Sequence, residues 1–217
     1  MKLAIVGGSR EAELLAKEVK ALGIEIDPSA GLVVIAPHPF DTDLIECALL
    51  SAANKPHILL QRPKWQPEKD DNWHFANSAQ EAAKTLESLN ISRALLAVGN
   101  ARLAPFYRLK NIDLVVRSRN TPHPPAPPKG RICPFFGPFD IKTELKGLTE
   151  QGINALVVHN AGGRGGWPKL AAARQLGLPV VLIDRPDLPD VKTVTDVDAA
   201  LDWVAASLGL DLCAQST

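Results

Sequence analysis

Short runs of apolar residues recur along the chain, and stretches with helical periodicity separate them. Five of these runs read LAIV, LVVIA, ALLAV, ALVV and VVLI. Every position in each run is apolar, rather than every second one. Such strands are typical of parallel sheets that are buried on both faces because helices cover them. The regular alternation of strands with helices therefore predicts a doubly wound α/β architecture.

The boundaries of the predicted elements follow from these runs and from the periodic stretches between them. The predicted strands are 2–6, 32–36, 58–61, 94–98, 114–117, 155–159 and 180–184. The predicted helices are 10–22, 41–53, 79–89, 102–110, 141–151, 168–176 and 197–207. A second series of strands and helices begins at Ala94. We therefore predict two domains, residues 1–92 and 93–217, which fits the size range of small domains.

The most irregular stretch is the proline-rich segment 121–138, which lies inside the second predicted domain. Proline fixes φ and removes a backbone donor, so this segment is predicted to be an extended loop. Three roles stay open for it: a border of an active site, a plain surface connection, or a ligand for a proline-binding module.

Charge and composition exclude several classes of function. Lys plus Arg and Asp plus Glu each number 24, and this zero balance argues against a nucleic-acid or anionic-membrane binder. No window approaches 18 apolar residues and the first apolar run is too short for a signal peptide, so we expect a cytoplasmic protein without membrane spans. Cys47, Cys133 and Cys213 lie far apart, which predicts neither a disulfide framework nor a metal site.

The first motif with chemical potential is Gly7, Gly8, Ser9, Arg10 and Glu11, which follows the first strand and opens the first helix. Glycines permit a tight turn and a close approach of the backbone, and a helix N-terminus presents N–H groups to an anion. Ser9 suits either a helix cap or a phosphate contact. A plain strand-to-helix turn is the competing interpretation, because the motif is not GxGxxG.

Two further motifs follow predicted strands. His38 stands between two prolines in APHPF, where an imidazole could contact a carboxylate, donate a proton or cap the next helix. Arg62 and Trp65 lie in RPKW, where a guanidinium could pair a carboxylate and an indole could stack on a flat ring. The competing interpretation of the indole is packing against its own loop, and Trp73 is better explained as structural.

The fourth motif is the glycine-rich loop 159–166, HNAGGRGG, between a strand and a helix. Backbone N–H groups of such a loop could cradle a phosphate or a ring carboxylate. A surface loop without a ligand is the alternative. Lys169 and Arg174 lie on the helix that follows, and Arg185 ends the next strand.

Taken in order, these motifs resemble the precorrin-6A reductase family, including the cobalt-precorrin-6A reductases. The elements that carry the resemblance are GGSREAELLA, APHPF, RPKW with DNW, AVGNARLAPF, GPFDIKTEL, and NAGGRGGWPKLAAARQLGLPVVLIDRP. The similarity runs from Met1 to about Trp203. Each motif alone is weakly specific, but the ordered set is specific.

The resemblance implies two small Rossmann-like parallel-sheet domains with a cleft between them. It also implies an enzyme that uses NADPH to reduce a macrocycle double bond in cobalamin biosynthesis, acting on a precorrin-6A-like tetrapyrrole rich in carboxylates. The implied cofactor-binding residues are Gly7, Gly8, Ser9, Arg10, Glu11 and Gly99. The implied substrate-binding residues are Arg62, Trp65, Arg102, Asn160, Gly162, Gly163 and Lys169. His38 and His159 are the candidate proton donors on chemistry alone.

The chain departs from the family pattern between the first helix and the strand at Leu32. Only residues 23–31 lie there, and we expect the family's further strand, its phosphate-binding turn and its Gly-rich segment to be absent. Ala36 and Pro37 replace an acidic residue and a threonine, and His159 replaces a lysine. The shortening leaves two alternatives: a non-catalytic tetrapyrrole-binding relative, acting as carrier or regulator, and a reductase for another substrate. A pure interaction module is the least favoured reading.

Overall fold

The structure, a computed structural model, describes residues 1–99, 102–118, 126–134 and 140–210. The strands are β1 (Lys2–Val6), β2 (Glu25–Ile26), β3 (Val33–Ile35), β4 (His57–Leu60), β5 (Trp73–Ala76), β6 (Arg93–Ala97), β7 (Asp113–Ser118), β8 (Gly130–Pro134), β9 (Ala155–His159), β10 (Val180–Ile183) and β11 (Thr193–Val194). The helices are α1 (Arg10–Ala21), α2 (Thr42–Ala52), α3 (Ala79–Ser88), α4 (Ile141–Glu150), α5 (Trp167–Gln175) and α6 (Val197–Leu208).

These elements form two compact units, each with a parallel sheet, which confirms the predicted α/β fold class. Residues 1–63 and the segment that begins at Pro186 build the first unit, and residues 64–185 build the second. The first sheet has the strand order β2-β1-β3-β4-β11, and the second has β5-β10-β9-β6-β7-β8. Within the described ranges every strand pairing is parallel.

Helices cover both faces of the first sheet, as the fully apolar strands predict. Leu3 and Val34 face α1 and α6 in one cluster, with Leu15 and Val204 among their neighbours. The residues next along the strands, such as Ala4, lie in a second cluster with α2. This division follows from the period of two along a strand, which sends successive side chains to opposite faces.

The chain order reverses once in each sheet. In the first sheet the chain moves from β1 to β2 on one side and returns to β3 on the other, so the switch point lies between β1 and β3. In the second sheet β6 leads to β7 on one side, and β9 leads to β10 on the other, so β6 and β9 flank the switch point. Open α/β sheets bind ligands beyond the carboxyl ends of the strands at such points.

The units divide the chain at other positions than the boundary predicted at residues 92 and 93. Strand β5 pairs with β10, which holds residues from 64 onward in the second unit. Strand β11 pairs with β4, and α6 packs on α1, which returns the segment after Pro186 to the first unit. These contacts join positions far apart in sequence, so no local change of composition marks them.

Several local predictions differ from the structure. The helix predicted at 102–110 is wrong: no α-helix forms within these residues and Phe106–Arg108 is a 3₁₀ turn, because Pro105 lacks an N–H and disfavours a helical residue before it. The segment 121–138 is not loop throughout, because β8 forms inside it at the edge of the sheet; residues 121–125 and 135–139 lie outside the described ranges. A short strand, β2, is present where we expected none.

No helix in the described part of the chain has the length and the apolar composition that crossing a membrane requires. The described residues also contain no group of three or more His, Cys, Asp or Glu side chains arranged to hold a metal ion.

A buried ion pair ties α4 to β7. Arg117, near the end of β7, donates from both terminal nitrogens to the two carboxylate oxygens of Glu144, over 2.7 and 2.9 Å. Glu144 is 1% exposed, and its charge lies in the first turn of α4, where the helix dipole favours a carboxylate. Removing either partner leaves a buried charge without this ion pair, which is costly.

We expect Glu144→Ala to lower the free energy of unfolding by about 3 kcal/mol, because Arg117 would lose its bidentate ion pair with Glu144. Glu150→Ala is the matched control, since Glu150 forms an exposed pair with Lys146 at 3.8 Å and should change stability by less than about 0.5 kcal/mol. Denaturant unfolding of both variants checks this, and equal losses would contradict it.

Candidate functional site

At the switch point of the first sheet, the turn after β1 lies directly against the turn after β3. A Cβ added to Gly7 would lie 2.5 Å from the carbonyl carbon and oxygen of Ala36, and Gly7 has φ +124°. Only glycine meets both conditions at once. The Ser9 N–H donates to the Ala36 carbonyl at 3.4 Å, which joins the two turns again.

The same turn presents the start of α1. Ser9 is the N-cap: its hydroxyl oxygen accepts from the Ala12 N–H at 3.1 Å, so the capping interpretation is correct for this side chain. Within the described residues the N–H groups of Arg10 and Glu11 reach no protein acceptor. A Cβ added to Gly8, the residue before the N-cap, would meet nothing within 4 Å, so there is open space beside this turn.

Two of the predicted residues at this edge bind each other. The Arg62 Nη1 group, just beyond β4, donates to Glu11 Oε2, and the two side chains are only 15% and 17% exposed. The ion pair thereby joins the end of β4 to the first turn of α1. Because the two charges neutralise each other, each binds a charged ligand less strongly than an unpaired charge would. The main role of both residues is therefore to stabilise the turn.

His38 lies at the same edge, in the turn after β3, and its side chain is exposed. The Phe40 N–H donates to Nδ1 of His38 at 3.3 Å. A neutral imidazole that accepts at Nδ1 carries its proton on Nε2. This turn therefore presents a ring N–H at the carboxyl edge of the first sheet.

In the second unit, the glycine-rich loop after β9 is organised by Asn160, which is 1% exposed. Its side-chain oxygen accepts from the Trp65 N–H at 2.9 Å, and its side-chain nitrogen donates to the Trp65 carbonyl at 3.3 Å. Arg185 donates to the carbonyls of Asn160 and Ala161 at 3.0 and 2.9 Å. The loop is thus held from two directions by groups far away in sequence.

The Trp65 side chain contacts the later part of the glycine-rich loop, at Gly163 and Gly166. Its indole N–H donates to the Gly163 carbonyl at 3.1 Å, and its ring lies where a Cβ on Gly166 would stand, at 2.5 Å. Lys169 donates to the Gly166 carbonyl at 3.0 Å. Gly162 and Gly163 have φ +68° and +78°, a backbone region that disfavours other residues. Gly163 and Gly166 of this loop therefore accommodate the Trp65 side chain. The sequence motif predicted a phosphate-binding loop and did not show this structural role.

A cavity of about 380 Å³ opens beside the start of α3 in the second unit. Arg102 and Arg108 line it, from the segment after β6, and Ser78 and Gln80 line it from the helix. Ser78 caps α3 by accepting from the Glu81 N–H, and Glu81 accepts from the Asn77 N–H in return. Two guanidinium groups in one concave site suit a carboxylate-bearing ligand.

Comparison with known proteins bears on this arrangement. The family model described as "Precorrin-6x reductase CbiJ/CobK" matches residues 26–205. The chain belongs to this precorrin-6x reductase family. The match confirms the family that the motifs resemble.

Individual relatives agree with this assignment. The chain is 34% identical to the precorrin-6A reductase of Rhodococcus erythropolis, over 92% of this chain and 79% of that protein. It is 29% identical to the precorrin-6A reductase of Rhodobacter capsulatus, over 94% and 96%. A solved structure of CobK precorrin-6A reductase superposes with a TM-score of 0.84 at 26% identity, covering 97% of this chain and 98% of that one.

The alignment with the Rhodobacter relative extends over 241 positions, although this chain has 217 residues. The relative therefore carries residues, within the aligned region, that this chain lacks.

For this reductase-family chain, the predicted site residues fall into both units. Gly7, Gly8, Ser9, Arg10, Glu11, His38 and Arg62 belong to the first unit. Trp65, Gly99, Arg102, His159, Asn160, Gly162, Gly163 and Lys169 belong to the second. Gly99, with φ +70°, follows β6 and so belongs to a different unit from the other predicted cofactor residues. His159 ends β9 beside Ile183 of β10. Their roles in binding stay predictions.

Sequence reasoning missed Arg108 in the cavity and the contacts of Arg185 with the glycine-rich loop. The sequence signal that could have identified Arg108 is its spacing of six residues from Arg102, with Pro105 between them. The segment that carries Trp65 was also underestimated. Its later residues Glu68 and Asp71 bind Arg174 of α5, over 2.8 Å for each shortest contact, and Arg174 stacks over the Trp167 ring at 5.0 Å.

Asp71 carries most of this anchor, because its side chain is fully buried. Burial alone raises the pKa of Asp71, but hydrogen bonds from Arg174 and from the Glu68 N–H outweigh it, and the pKa lies below its usual value. The contribution of this carboxylate to stability is therefore present above its unfolded pKa of about 3.9 and is lost as the pH falls through the lower folded value.

We expect Asp71→Asn to cost about 2 kcal/mol of unfolding free energy at pH 7, and we expect this cost to shrink below about pH 4. Glu68→Gln is the matched control on the same arginine, since Glu68 is 67% exposed and its loss should cost well under about 1 kcal/mol. Urea unfolding at pH 7, 5 and 3 gives the comparison. A cost of Asp71→Asn that does not change with pH would refute this account.

Proposed function

We propose that this chain reduces one ring double bond of a precorrin-6A-type macrocycle with NADPH, as a step of cobalamin biosynthesis. The observation that carries the proposal is the pairing of family membership with a Gly7–Gly8 turn at the switch point of the first sheet. All the relatives named above are reductases, so they offer no support for a non-catalytic binder.

The first unit fits the phosphates of a dinucleotide. Gly7 brings the turn against the turn after β3, a Cβ on Gly8 would meet nothing within 4 Å, and the N–H groups of Arg10 and Glu11 have no acceptor among the described residues. A helix N-terminus with bare N–H groups at the switch point is the usual seat of a pyrophosphate in open α/β sheets. We assign pyrophosphate binding to this turn.

NADPH, when bound, supplies a hydride. That hydride and one proton convert one carbon–carbon double bond of the macrocycle to a CH–CH bond, and NADP⁺ is released. The chain's own contribution is to bind the two partners, orient them and deliver the proton. His38 is our candidate for proton delivery, because its exposed ring carries the Nε2 proton at the edge where the dinucleotide turn lies.

The substrate of such a reaction is a polycarboxylate, and the second unit offers cations for it. Arg102 and Arg108 line the cavity of about 380 Å³, whose size suits a carboxylate-bearing arm of a macrocycle rather than the whole ring. Bidentate guanidinium–carboxylate contacts would add both affinity and orientation there.

We expect Gly8→Ala to weaken NADPH binding at least about tenfold while the thermal midpoint stays within about 2 °C. The added methyl group meets no protein atom within 4 Å, so the fold tolerates it, but it enters the open space beside the Gly7–Gly8 turn. Gly31→Ala is the matched control, because a Cβ there also meets nothing within 4 Å and the residue lies away from this turn. Titration by NADPH fluorescence measures the change, and unaltered affinity in Gly8→Ala would count against the site.

We expect Arg108→Gln to raise the KM for precorrin-6A about ten- to hundredfold with a smaller change in kcat, because a charged contact to the substrate is removed. The control is Arg131→Gln, an exposed arginine whose guanidinium donates to the Gln151 side-chain oxygen at 3.1 Å. Steady-state loss of NADPH absorbance, with precorrin-6A varied, gives both constants. A wild-type chain without turnover would overturn the proposed function itself.

A further inference from the structure

We infer that Arg10 is the residue by which this chain distinguishes NADPH from NADH, an inference that rests on the proposed dinucleotide site. In open α/β sheets, the end of the second strand normally makes this distinction. An acidic residue there binds the ribose hydroxyl of NAD, or a nearby arginine binds the 2′-phosphate of NADP.

Strand β2 stops too early in this chain to do so. The register pairs Leu3 of β1 with Ile26 of β2, but β1 continues beside β3 until Val6 pairs with Ile35. At about 3.3 Å per residue, β2 therefore ends about 10 Å before β1 does. The Gly7–Gly8 turn follows Val6, at the carboxyl edge of the sheet. The end of β2 therefore does not reach the edge where this turn lies.

The acidic residue that follows β2 is also occupied. Asp27 accepts from the Lys2 ammonium group at 2.7 Å, and from the N–H and hydroxyl of Ser29 at 2.8 and 2.7 Å. The hydrogen bond from Lys2, with those from Ser29, holds the pKa of Asp27 below its usual value. Its carboxylate is thus a structural part of the turn into β3 and is not aimed at a ribose.

The connection from β2 to β3 also offers no cationic side chain that could bind a 2′-phosphate. Residues 27–32 cross from one side of β1 to the other without a helix, and the Ala4 N–H donates to the Leu32 carbonyl at 2.9 Å at their end. The whole stretch 23–32 contains no lysine or arginine. Neither group that usually discriminates the two cofactors is therefore available from this side of the sheet.

Arg10 is placed to take over this role. It is the first residue of α1, it is exposed, and its side chain makes no hydrogen bond or ion pair with any other described residue. Its neighbour at this edge, Arg62, is paired with Glu11. A cation at a helix N-terminus opposes the helix dipole, so Arg10 carries an energetic cost that an anionic ligand relieves. The 2′-phosphate is the anion that NADPH has and NADH lacks.

The test compares Arg10→Gln with Lys17→Gln, an exposed lysine on the same helix that serves as the matched control. Fluorescence titrations with NADPH and with NADH, and calorimetry with 2′,5′-ADP and 5′-AMP, give four dissociation constants for each protein. We expect Arg10→Gln to weaken NADPH and 2′,5′-ADP about ten- to hundredfold, and NADH and 5′-AMP less than about twofold. Lys17→Gln should change none of them.

The other outcomes overturn the inference in distinguishable ways. Equal weakening of NADPH and NADH would place Arg10 on a phosphate that both cofactors share. Unchanged affinity for all four ligands would remove Arg10 from the site while the proposed function stands. A wild-type chain that binds neither nicotinamide cofactor would refute the proposed function as well. Thermal unfolding serves as the folding check, and Arg10→Gln should melt at the wild-type temperature or slightly above it.

Discussion

Every described strand in each sheet pairs in parallel with its neighbours, and this one constraint decides where chemistry can lie. Parallel strands all end at the same edge, so the segments that follow them gather there. The turn after β1 and the turn after β3 meet in this way, and Gly7 packs so closely against Ala36 that a Cβ would not fit. The loop after β9 and the segment after β6 share the corresponding edge of the second sheet. Each motif found in the sequence follows such a strand.

The long, fully apolar strands and the amphipathic helices were predictable, because periodicity reports burial directly. Strands β2 and β11 were not, since two residues cannot show a period. Strand β8 was hidden by proline, although a proline at the last position of an edge strand costs no ladder hydrogen bond. The division into units depends on the pairing of β5 with β10 and of β11 with β4, which are contacts between distant positions.

The site was predictable by position rather than by role. Sequence patterns place an arginine after a strand, but they do not show whether another side chain already neutralises it. Arg62, Arg117 and Arg174 all bind carboxylates of this chain. The four glycines after β9 have the composition of a phosphate loop, yet several of their groups hold Trp65. The sequence could not distinguish a structural glycine-rich loop from a ligand-binding one, because it does not show that Trp65, almost a hundred residues earlier, packs against this loop.

The first sheet is completed by residues that come late in the chain. Strand β11 covers the outer edge of β4, and α6 packs on α1 with Ala200 and Val204 in the same core. The second unit, by contrast, is one continuous stretch. As the chain leaves the ribosome, the second unit can therefore complete its sheet first. Until β11 is synthesised, the outer edge of β4 remains unpaired. Ribosome-bound chains that stop before β11 expose this edge, and a chaperone that shields unpaired strands would act on them.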